Sequence, residues 1–306
     1  MKTCRCEQCG ATVDRGPEVL SSTCAFCGSA LVEVDRDRSA VDAAVPFAVD
    51  RARAAHLLKG FLQGQWLAPE ALRKAAETGE IAATYVPFYC YDAIARSRYE
   101  VEIGVHWMRT ETYTVVENGK TVTKTRQVQE TDWHDLSGTH AHRWFNHLVS
   151  ASLGLPESEA NALEPFDLGR AVAFEPAMVA GVSAEHPTVA PDDARVVAAD
   201  ELERLDQARI GRHLLPGDTH RGLRSACEVQ LDALRLVLLP VWIAAIPGPS
   251  GPLRMLVNGQ TGEVVGDVPR SGWKIALAVG LVLLPIAIAI AAAMGVAGLG
   301  AAMGAR

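Results

Sequence analysis

Residues 112–128 read TYTVVENGKTVTKTRQV, and this stretch decides the fold of the middle of the chain. Polar and apolar residues alternate on both sides of Asn118-Gly119. That dipeptide is a strong hairpin signal because both of its residues tolerate positive φ. Further strands with a period of two are predicted at 81–94, 98–108, 221–231 and 234–246, and a final hairpin is predicted at 253–266 with its turn at 258–262. The middle of the chain is therefore predicted to consist largely of antiparallel hairpins.

Two long helices are predicted to accompany these strands, beside a short helix that begins at Pro69. Asp50 is placed to cap the first helix, whose apolar face consists of Ala54, Leu57, Leu58 and Phe61. The second helix covers 191–210, where Pro191 occupies the start and two aspartates occupy the first turn. Its apolar face is predicted to consist of Val197, Ala198, Leu202, Leu205 and Ala208.

The strands contain a weak internal repeat. Residues 85–89 (YVPFY) resemble residues 238–242 (LLPVW), because each motif has a proline followed two positions later by an aromatic residue. A duplicated unit would explain the likeness. Two unrelated edge or entry strands would also explain it, since a proline there costs no ladder hydrogen bond. The sequence leaves both explanations open.

The N-terminus carries the pairs Cys6-x2-Cys9 and Cys24-x2-Cys27. A glycine follows each pair and lets backbone N–H groups turn toward the sulfurs, as in a zinc knuckle. Four thiolates at this spacing can close a tetrahedral site, so we predict one Zn2+ bound by Cys6, Cys9, Cys24 and Cys27. Such thiolate sites persist where thiols stay reduced, which favours the cytosol.

The C-terminus runs from residue 275 to residue 305 without a charged side chain. Residues 275–294 alone would form a helix of about 30 Å, which matches the hydrocarbon core of a bilayer. Basic residues flank both ends, so their number does not decide the orientation. The zinc head favours a cytoplasmic N-terminus. The expected location is therefore the cell membrane, single-pass, with the N-terminus and the soluble domain in the cytoplasm.

A histidine-rich stretch, DWHDLSGTHAHRWFNH, occupies residues 132–147. Its histidines are His134, His140, His142 and His147. His140 and His142 would share one face of a strand, so a second metal site is one interpretation. A polar strand face is the other, and it is favoured because no familiar spacing such as H-E-x-x-H occurs. The sequence leaves this question open, as it does the role of Cys4 beside the zinc cysteines.

Composition argues against a chain that coats nucleic acid. The net charge is −7, with a sequence pI of about 5.7, whereas nucleic-acid-binding domains are usually basic. Residues 1–32 carry three basic and three acidic side chains, and Phe26 is their only aromatic residue, so a base-stacking platform is missing. No G-x-S-x-G, G-x-G-x-x-G or Walker motif occurs, and Cys90 and Cys227 lie in apolar strands. The protein is therefore predicted not to be an enzyme.

The order of the motifs resembles that of a known family. It runs from the two C-x2-C-G pairs through QWLAP at 65–69, YVPFY at 85–89 and LLPVW at 238–242 to VNGQTG at 257–262. With the apolar C-terminus, it resembles the bacterial membrane proteins often labelled TFIIB-type zinc-ribbon-containing or primosomal protein N′. The resemblance spans nearly the whole chain. It implies a non-catalytic membrane protein with partners of the SPFH or phage-shock type, active in envelope stress.

Together these features predict an α+β fold with an N-terminal zinc ribbon, a mixed α+β soluble domain with antiparallel hairpins, and a C-terminal transmembrane helix. The predicted boundaries are 1–32 for the ribbon, 33–46 for a linker, 47–270 for the soluble domain and 274–303 for the transmembrane segment. The expected function is a membrane-anchored cytosolic adaptor or scaffold that binds protein partners. The alternative is a zinc-ribbon nucleic-acid-binding protein.

Overall fold

The computed structural model describes the chain in several ranges. They are 2–5, 12–15, 19–23, 30–32, 41–70, 72, 80–117, 120–248, 251–269, 271–274, 277, 279–281 and 283–285. In the four ranges before residue 41, it describes the backbone and not the side chains.

The strands are β1 (Lys2–Arg5), β2 (Thr12–Arg15), β3 (Val19–Thr23), β4 (Ala30–Val32), β5 (Ala43–Ala44), β6 (Glu80–Glu117), β7 (Lys120–Ser150), β8 (Val172–Ala173), β9 (Ser183–Glu185), β10 (Thr219–Gly248), β11 (Gly251–Asn258) and β12 (Val264–Val265). The α-helices are α1 (Arg51–Gly64), α2 (Glu157–Leu163) and α3 (Pro191–Arg209). Two short 3-10 turns, Leu168–Arg170 and Pro176–Val179, and a π-turn, Ile210–Leu214, complete the described elements.

Three long strands dominate a ten-stranded sheet. Strand β6 has 38 residues, β7 has 31 and β10 has 30. β10 pairs antiparallel with one edge of β6, and β7 pairs antiparallel with the other edge. The predicted hairpin at Asn118-Gly119 is confirmed, because Glu117 pairs with Lys120. The two turn residues themselves lie outside the described ranges.

The strands are longer than the sequence indicated. The two strands predicted at 81–94 and 98–108 are one strand, β6, and those predicted at 221–231 and 234–246 are one strand, β10. The pairing register of β10 shifts at a β-bulge between Leu231 and Ala233, and the strand continues beyond it. A bulge bends a strand without ending it, so a gap in the alternation was misread as a strand end.

The internal repeat is a real structural duplication. β5, α1, β6 and β7 form one half of the duplication, and β9, α3, β10 and β11 form the other. The two proline motifs face each other across the β6–β10 pairing, where Tyr85 pairs with Pro240 and Pro87 pairs with Leu238. Strand β5 runs parallel to β10, and β9 runs parallel to β6 in the equivalent register. A local two-fold axis between β6 and β10 therefore relates the halves.

Equivalent hydrogen bonds support this symmetry. The Tyr89 hydroxyl donates to the Val189 carbonyl at 2.9 Å, and Trp242 Nε1 donates to the Val49 carbonyl at 2.9 Å. Each donor lies two positions after its motif's proline, and each acceptor lies two positions before a helix begins. Because each helix entry is bound by the other half's strand, the two halves have to fold together.

Both prolines lie in central strands, which corrects the explanation by edge strands. The Pro87 carbonyl accepts a hydrogen bond from the N–H of Ala151, and the Pro240 carbonyl accepts one from Gly259. These donors lie just beyond the ends of β7 and β11. A proline has no N–H to donate to a neighbouring strand. At Pro87 and Pro240 the neighbouring strands, β7 and β11, have already ended, so no hydrogen bond of the sheet is lost.

Helices α1 and α3 pack on one face of the sheet through matching positions. Helix α1 starts after Asp50, whose side chain accepts the N–H of Arg53 at 2.7 Å, as predicted. The fourth, eighth and twelfth residues of each helix are buried; they are Ala54, Leu58 and Leu62 in α1 and Ala194, Ala198 and Leu202 in α3. The predicted apolar face of α3 is wrong in part, because Leu205 is 43% exposed while Glu201 and Asp206 are buried.

The predicted architecture of a zinc ribbon, a separate α+β domain and a transmembrane helix is wrong. The N-terminal strands β3 and β4 belong to the large sheet, since Ser21 of β3 pairs with Ala184 of β9. Backbone hydrogen bonding at a free strand edge thus draws part of the head into the main sheet.

The predicted membrane anchor and single-pass location at the cell membrane, with a cytoplasmic N-terminus, are likewise corrected. Within the described ranges, no helix is long and apolar enough to cross a membrane. Residues 286–306 lie outside the described part.

Candidate functional site

Helix α3 presents carboxylates, as well as apolar side chains, to the sheet. Asp206 is fully buried, and Glu201 is 8% exposed. Charged groups are rarely buried without partners, because leaving water costs them several kcal/mol. The inner face of α3 therefore differs from an ordinary apolar helix face, because it carries buried carboxyl groups.

Strand β7 supplies the partners from its histidine-rich stretch. His140 and His142 do share a face, as predicted, with stacked rings 6.0 Å apart. Trp144 lies edge-on to His142 at 4.7 Å. The register of β7 against β6 shifts where Asn146 has a φ of 56°, and this irregularity brings His147 toward α3 as well. The stretch is thus the edge of a polar layer between β7 and α3.

His147 lies in a group of carboxylates. Its Nε2 is 3.2 Å from Oε2 of Glu201, whose Oε1 accepts a hydrogen bond from Asn161 at 2.7 Å. Burial acts to raise the pKa of Glu201, but His147 and Asn161 outweigh it and hold that pKa below its usual value. Glu201 is therefore the ionised partner in this group.

Two further carboxyl groups, those of Glu157 and Glu164, have raised pKa values. Burial raises the pKa of Glu157 to about 7, although the N–H of Ser150 donates to its Oε2 at 2.9 Å. Burial also raises the pKa of Glu164. Carboxyls whose pKa values are pushed apart within one group are typical of functional sites, although structural networks also produce them. We call His147, Glu157, Glu164 and Glu201 the His147 cluster.

A second polar group surrounds Asp206. Its Oδ2 accepts a hydrogen bond from the Ser97 hydroxyl at 2.5 Å, and His140 Nε2 lies 3.9 Å from its Oδ1. Burial, and then Arg209 and His140, lower the pKa of His142. This arrangement favours a neutral His142 beside a buried carboxylate that Ser97 stabilises.

The two cysteines whose side chains the structure describes, Cys90 and Cys227, are not arranged as nucleophiles. Cys227, Ser97 and His140 pair side by side across three strands, so the strand of Ser97 separates the thiol from the imidazole. A thiol and its base need hydrogen-bond contact for nucleophilic catalysis. Burial raises the pKa of Cys227 and raises that of Cys90 to about 11, which disfavours both thiolates.

The predicted zinc ligands Cys6, Cys9, Cys24 and Cys27 lie outside the described residues, and the side chain of Cys4 in β1 is not described either. In the part of the chain that the structure describes, no group of three or more His, Cys, Asp or Glu could hold a metal. A second metal site at the four histidines of β7 is therefore not formed. His134 is exposed and pairs with Ile103, six positions along β7 from His140.

Sequence reasoning missed the carboxylates that complete the His147 cluster. Glu157 begins α2, and Glu201 lies in the middle of α3, where glutamates are ordinarily exposed. The sequence contained only a weak sign of this burial, namely that α3 has few large apolar residues on its expected inner face. Only the packing of α3 against β7 shows that Glu201 turns inward.

Beyond the end of β10, the β6–β7 hairpin continues as a two-stranded ribbon. We call Val105–Glu117 and Lys120–Asp132 the arm. Thr219 pairs with Gly104, so no described part of β10 reaches the arm. At about 3.4 Å per residue, thirteen residues on each strand give a projection of about 44 Å.

The arm gathers its charges on one face, which they share with neutral side chains such as Trp107 and Tyr113. Directly paired residues of an antiparallel ribbon point to the same face. All eight charged residues of the arm fall on one face; they are Arg109, Glu111, Glu117, Lys120, Lys124, Arg126, Glu130 and Asp132. Arg109 contacts Glu130 at 2.5 Å and Arg126 contacts Glu111 at 2.7 Å, while Lys124 pairs with Glu117. Six of the eight charged side chains thus form ion pairs within the arm.

The opposite face of the arm carries no formal charge at pH 7. Its residues are His106, Met108, Thr110, Thr112, Thr114, Val116, Thr121, Thr123, Thr125, Gln127, Gln129 and Thr131. Met108 is 61% exposed and Val116 is 72% exposed. We call this the uncharged face of the arm.

Comparison with known proteins gives one distant relative. No family model matches the chain, and no solved structure matches it. The chain is similar to an uncharacterized protein, YdjG, from Bacillus subtilis (strain 168), with 25% identity over 234 residues. The match covers 76% of this chain and 64% of that relative, so the chain spans less than two thirds of the curated protein that it matches.

Proposed function

We propose that this protein is a non-enzymatic adaptor or scaffold that binds protein partners through the arm. One observation carries the proposal: every charged residue of the arm lies on one face, and the other face is uncharged and open to solvent. Charges paired within the arm do not have to be desolvated when a partner covers the uncharged face. That face therefore costs little to bury.

The stability of the arm supports this proposal. An isolated two-stranded ribbon is marginally stable in water, and a third strand or a packed face is usually needed. The arm has neither among the described residues, although its exposed side chains include Met108, Val116 and a row of threonines. β-branched side chains of this kind pack well on a pleated surface. A partner that covers the uncharged face would supply the missing layer.

The arm does not favour the nucleic-acid alternative. Its four basic side chains are matched by four acidic ones, and three of the basic residues are already paired. Phosphate contacts supply most of the non-specific affinity for nucleic acid, and they need free positive charge. Partners of the SPFH or phage-shock type, which the family resemblance implies, remain the first proteins to test.

Site-specific photo-crosslinking tests the proposal. A photoreactive amino acid replaces Thr112 on the uncharged face of the full chain, and the matched control replaces Val196, which is 62% exposed on the outer side of α3. We expect the same discrete protein adducts from Thr112 and from Thr123, its neighbour on that face, and none of them from Val196. Adducts that are absent from both arm positions, or equally strong from Val196, would refute the role of the arm.

A further inference from the structure

The duplication provides an internal comparison for the His147 cluster. His147 pairs with Tyr91, four positions after Pro87, and Met255 pairs with Ala244, four positions after Pro240. His147 and Met255 are therefore equivalent. Glu201 is the eleventh residue of α3, and its equivalent in α1 is Phe61.

The symmetry-equivalent position, formed by Phe61 of α1 and Met255 of β11, contains no charge. Met255 is fully buried, and Phe61 packs against the same apolar cluster beneath α1. Replacing a buried ionic group by well-packed apolar residues is often neutral or stabilising. The stability of the fold therefore does not explain why this position has His147 and Glu201, where the equivalent position has Met255 and Phe61. Functional positions are where polar residues are expected to replace the apolar residues of a core.

We propose that the His147 cluster is a proton-binding site, which takes up protons as the pH falls from neutral to mildly acidic and thereby fastens α2 and α3 to strand β7. The ligand is the proton itself. The inference does not depend on the proposed role of the arm, since it rests on burial, contacts and the comparison between the halves.

Charged and titratable groups surround His147: Tyr91 of β6 pairs with it, and carboxyl groups approach it from the helices. Glu157 projects from α2, Glu164 follows that helix, and Glu201 projects from α3. Arg204 approaches Glu201 at 4.0 Å, but its side chain is 72% exposed, so solvent screens it. The imidazole of His147 thus faces three carboxyl groups that are partly removed from water.

Each proton that enters this group removes an unfavourable charge or adds a favourable one. A proton on Glu157 neutralises a buried carboxylate whose Oε1 has no hydrogen-bond partner among the described residues. A proton on His147 turns its 3.2 Å contact with Glu201 into an ion pair. The pKa of about 7 for Glu157 places its protonation in the physiological range.

The sign of the effect follows from linkage. The pKa of Glu157 is raised to about 7 in the folded protein, so the folded state binds this proton more tightly than the unfolded chain does. Stability from Glu157 therefore grows as the pH falls from about 7 toward the unfolded value of about 4.3. The pKa of Glu201 is lowered, so Glu201 stays ionised over the same interval and remains available to His147.

Hydrogen exchange of the full chain tests the proposal. Protection of the amides of α2 and α3, corrected for the intrinsic exchange rate, is compared at about pH 7.5 and about pH 5.5. We expect protection to rise on the order of tenfold at the lower pH. In Glu157→Gln, which holds this group permanently neutral, protection should be high at both pH values. Glu159→Gln, on the same helix but in the exposed pair with Arg254, should behave as the wild type.

Equal protection of the wild type at both pH values would overturn the proposal, as would an unchanged pH dependence in Glu157→Gln. The side-chain carboxyl resonance of Glu157 in the wild type gives a second measurement that does not depend on how a variant folds. A titration midpoint near 7 supports the proposal. A midpoint below about 5, the ordinary range of a glutamate, overturns it.

Discussion

Leu62→Ala and Leu202→Ala form a matched pair that tests whether the duplicated halves unfold as one unit. Both side chains are fully buried, at the twelfth position of α1 and of α3. Each helix entry is hydrogen-bonded to the strand of the other half, through Trp242 and Tyr89. Damage to either helix should therefore lower the stability of both halves together.

The expected magnitude comes from the loss of one fully buried leucine. Truncation of such a leucine to alanine costs the transfer free energy plus a cavity term, about 2–5 kcal/mol in all. For a unit of about 200 residues, about 3 kcal/mol corresponds to a fall in the melting temperature of roughly 6–12 °C. Val196→Ala on the exposed side of α3 is the control and should change the free energy of unfolding by less than about 0.5 kcal/mol.

Urea unfolding followed by both circular dichroism and tryptophan fluorescence measures the effect. Coincident single transitions are expected for the wild type and for both variants, with midpoints shifted by similar amounts. Separate transitions, or a variant in which one signal shifts and the other does not, would show that the halves unfold independently. That result would refute the reasoning from the crossed hydrogen bonds.

Three further predictions follow from single contacts. Tyr89→Phe leaves the Val189 carbonyl without its donor and should lower the free energy of unfolding by about 1–2 kcal/mol; urea unfolding checks this, and an unchanged midpoint would contradict it. Met108→Lys adds a charge to the uncharged face at an exposed position, so the adducts from Thr112 should weaken while thermal unfolding stays unchanged; adducts of undiminished yield would count against that face. Burial raises the pKa of Cys90 to about 11, so site-resolved alkylation at about pH 7.5 should be far slower than at an exposed thiol, and rapid labelling would disprove it.

The features that the sequence predicted correctly depend on neighbours in the chain. Asp50 caps α1 because its side chain reaches an N–H three positions later, and Asn118-Gly119 joins two strands because both residues accept positive φ. His140 and His142 share a face because the strand period is two. Each of these arguments needs only a few adjacent residues.

The features that the sequence predicted wrongly depend on distant segments. The alternation in β6 could not show that β10 would pair along it as far as Gly104 and leave the arm beyond. The apolar residues of α3 suggested an inner face containing Leu205, but the packing of the helix against β7 buries Glu201 instead. The apolar C-terminus suggested a membrane helix, which the described part of the chain does not contain.

The sequence by itself determined the turns, the helix starts, the strand period and the likeness between residues 85–89 and 238–242. Tertiary structure decided that these two motifs face each other about a two-fold axis, and that His147 meets Glu201 while the equivalent Met255 lies in an apolar core. The physical reason is that local conformation follows from short-range sterics and hydrogen bonds. The contacts that build a site, in contrast, depend on register and helix rotation, which are set by the packing of the whole sheet.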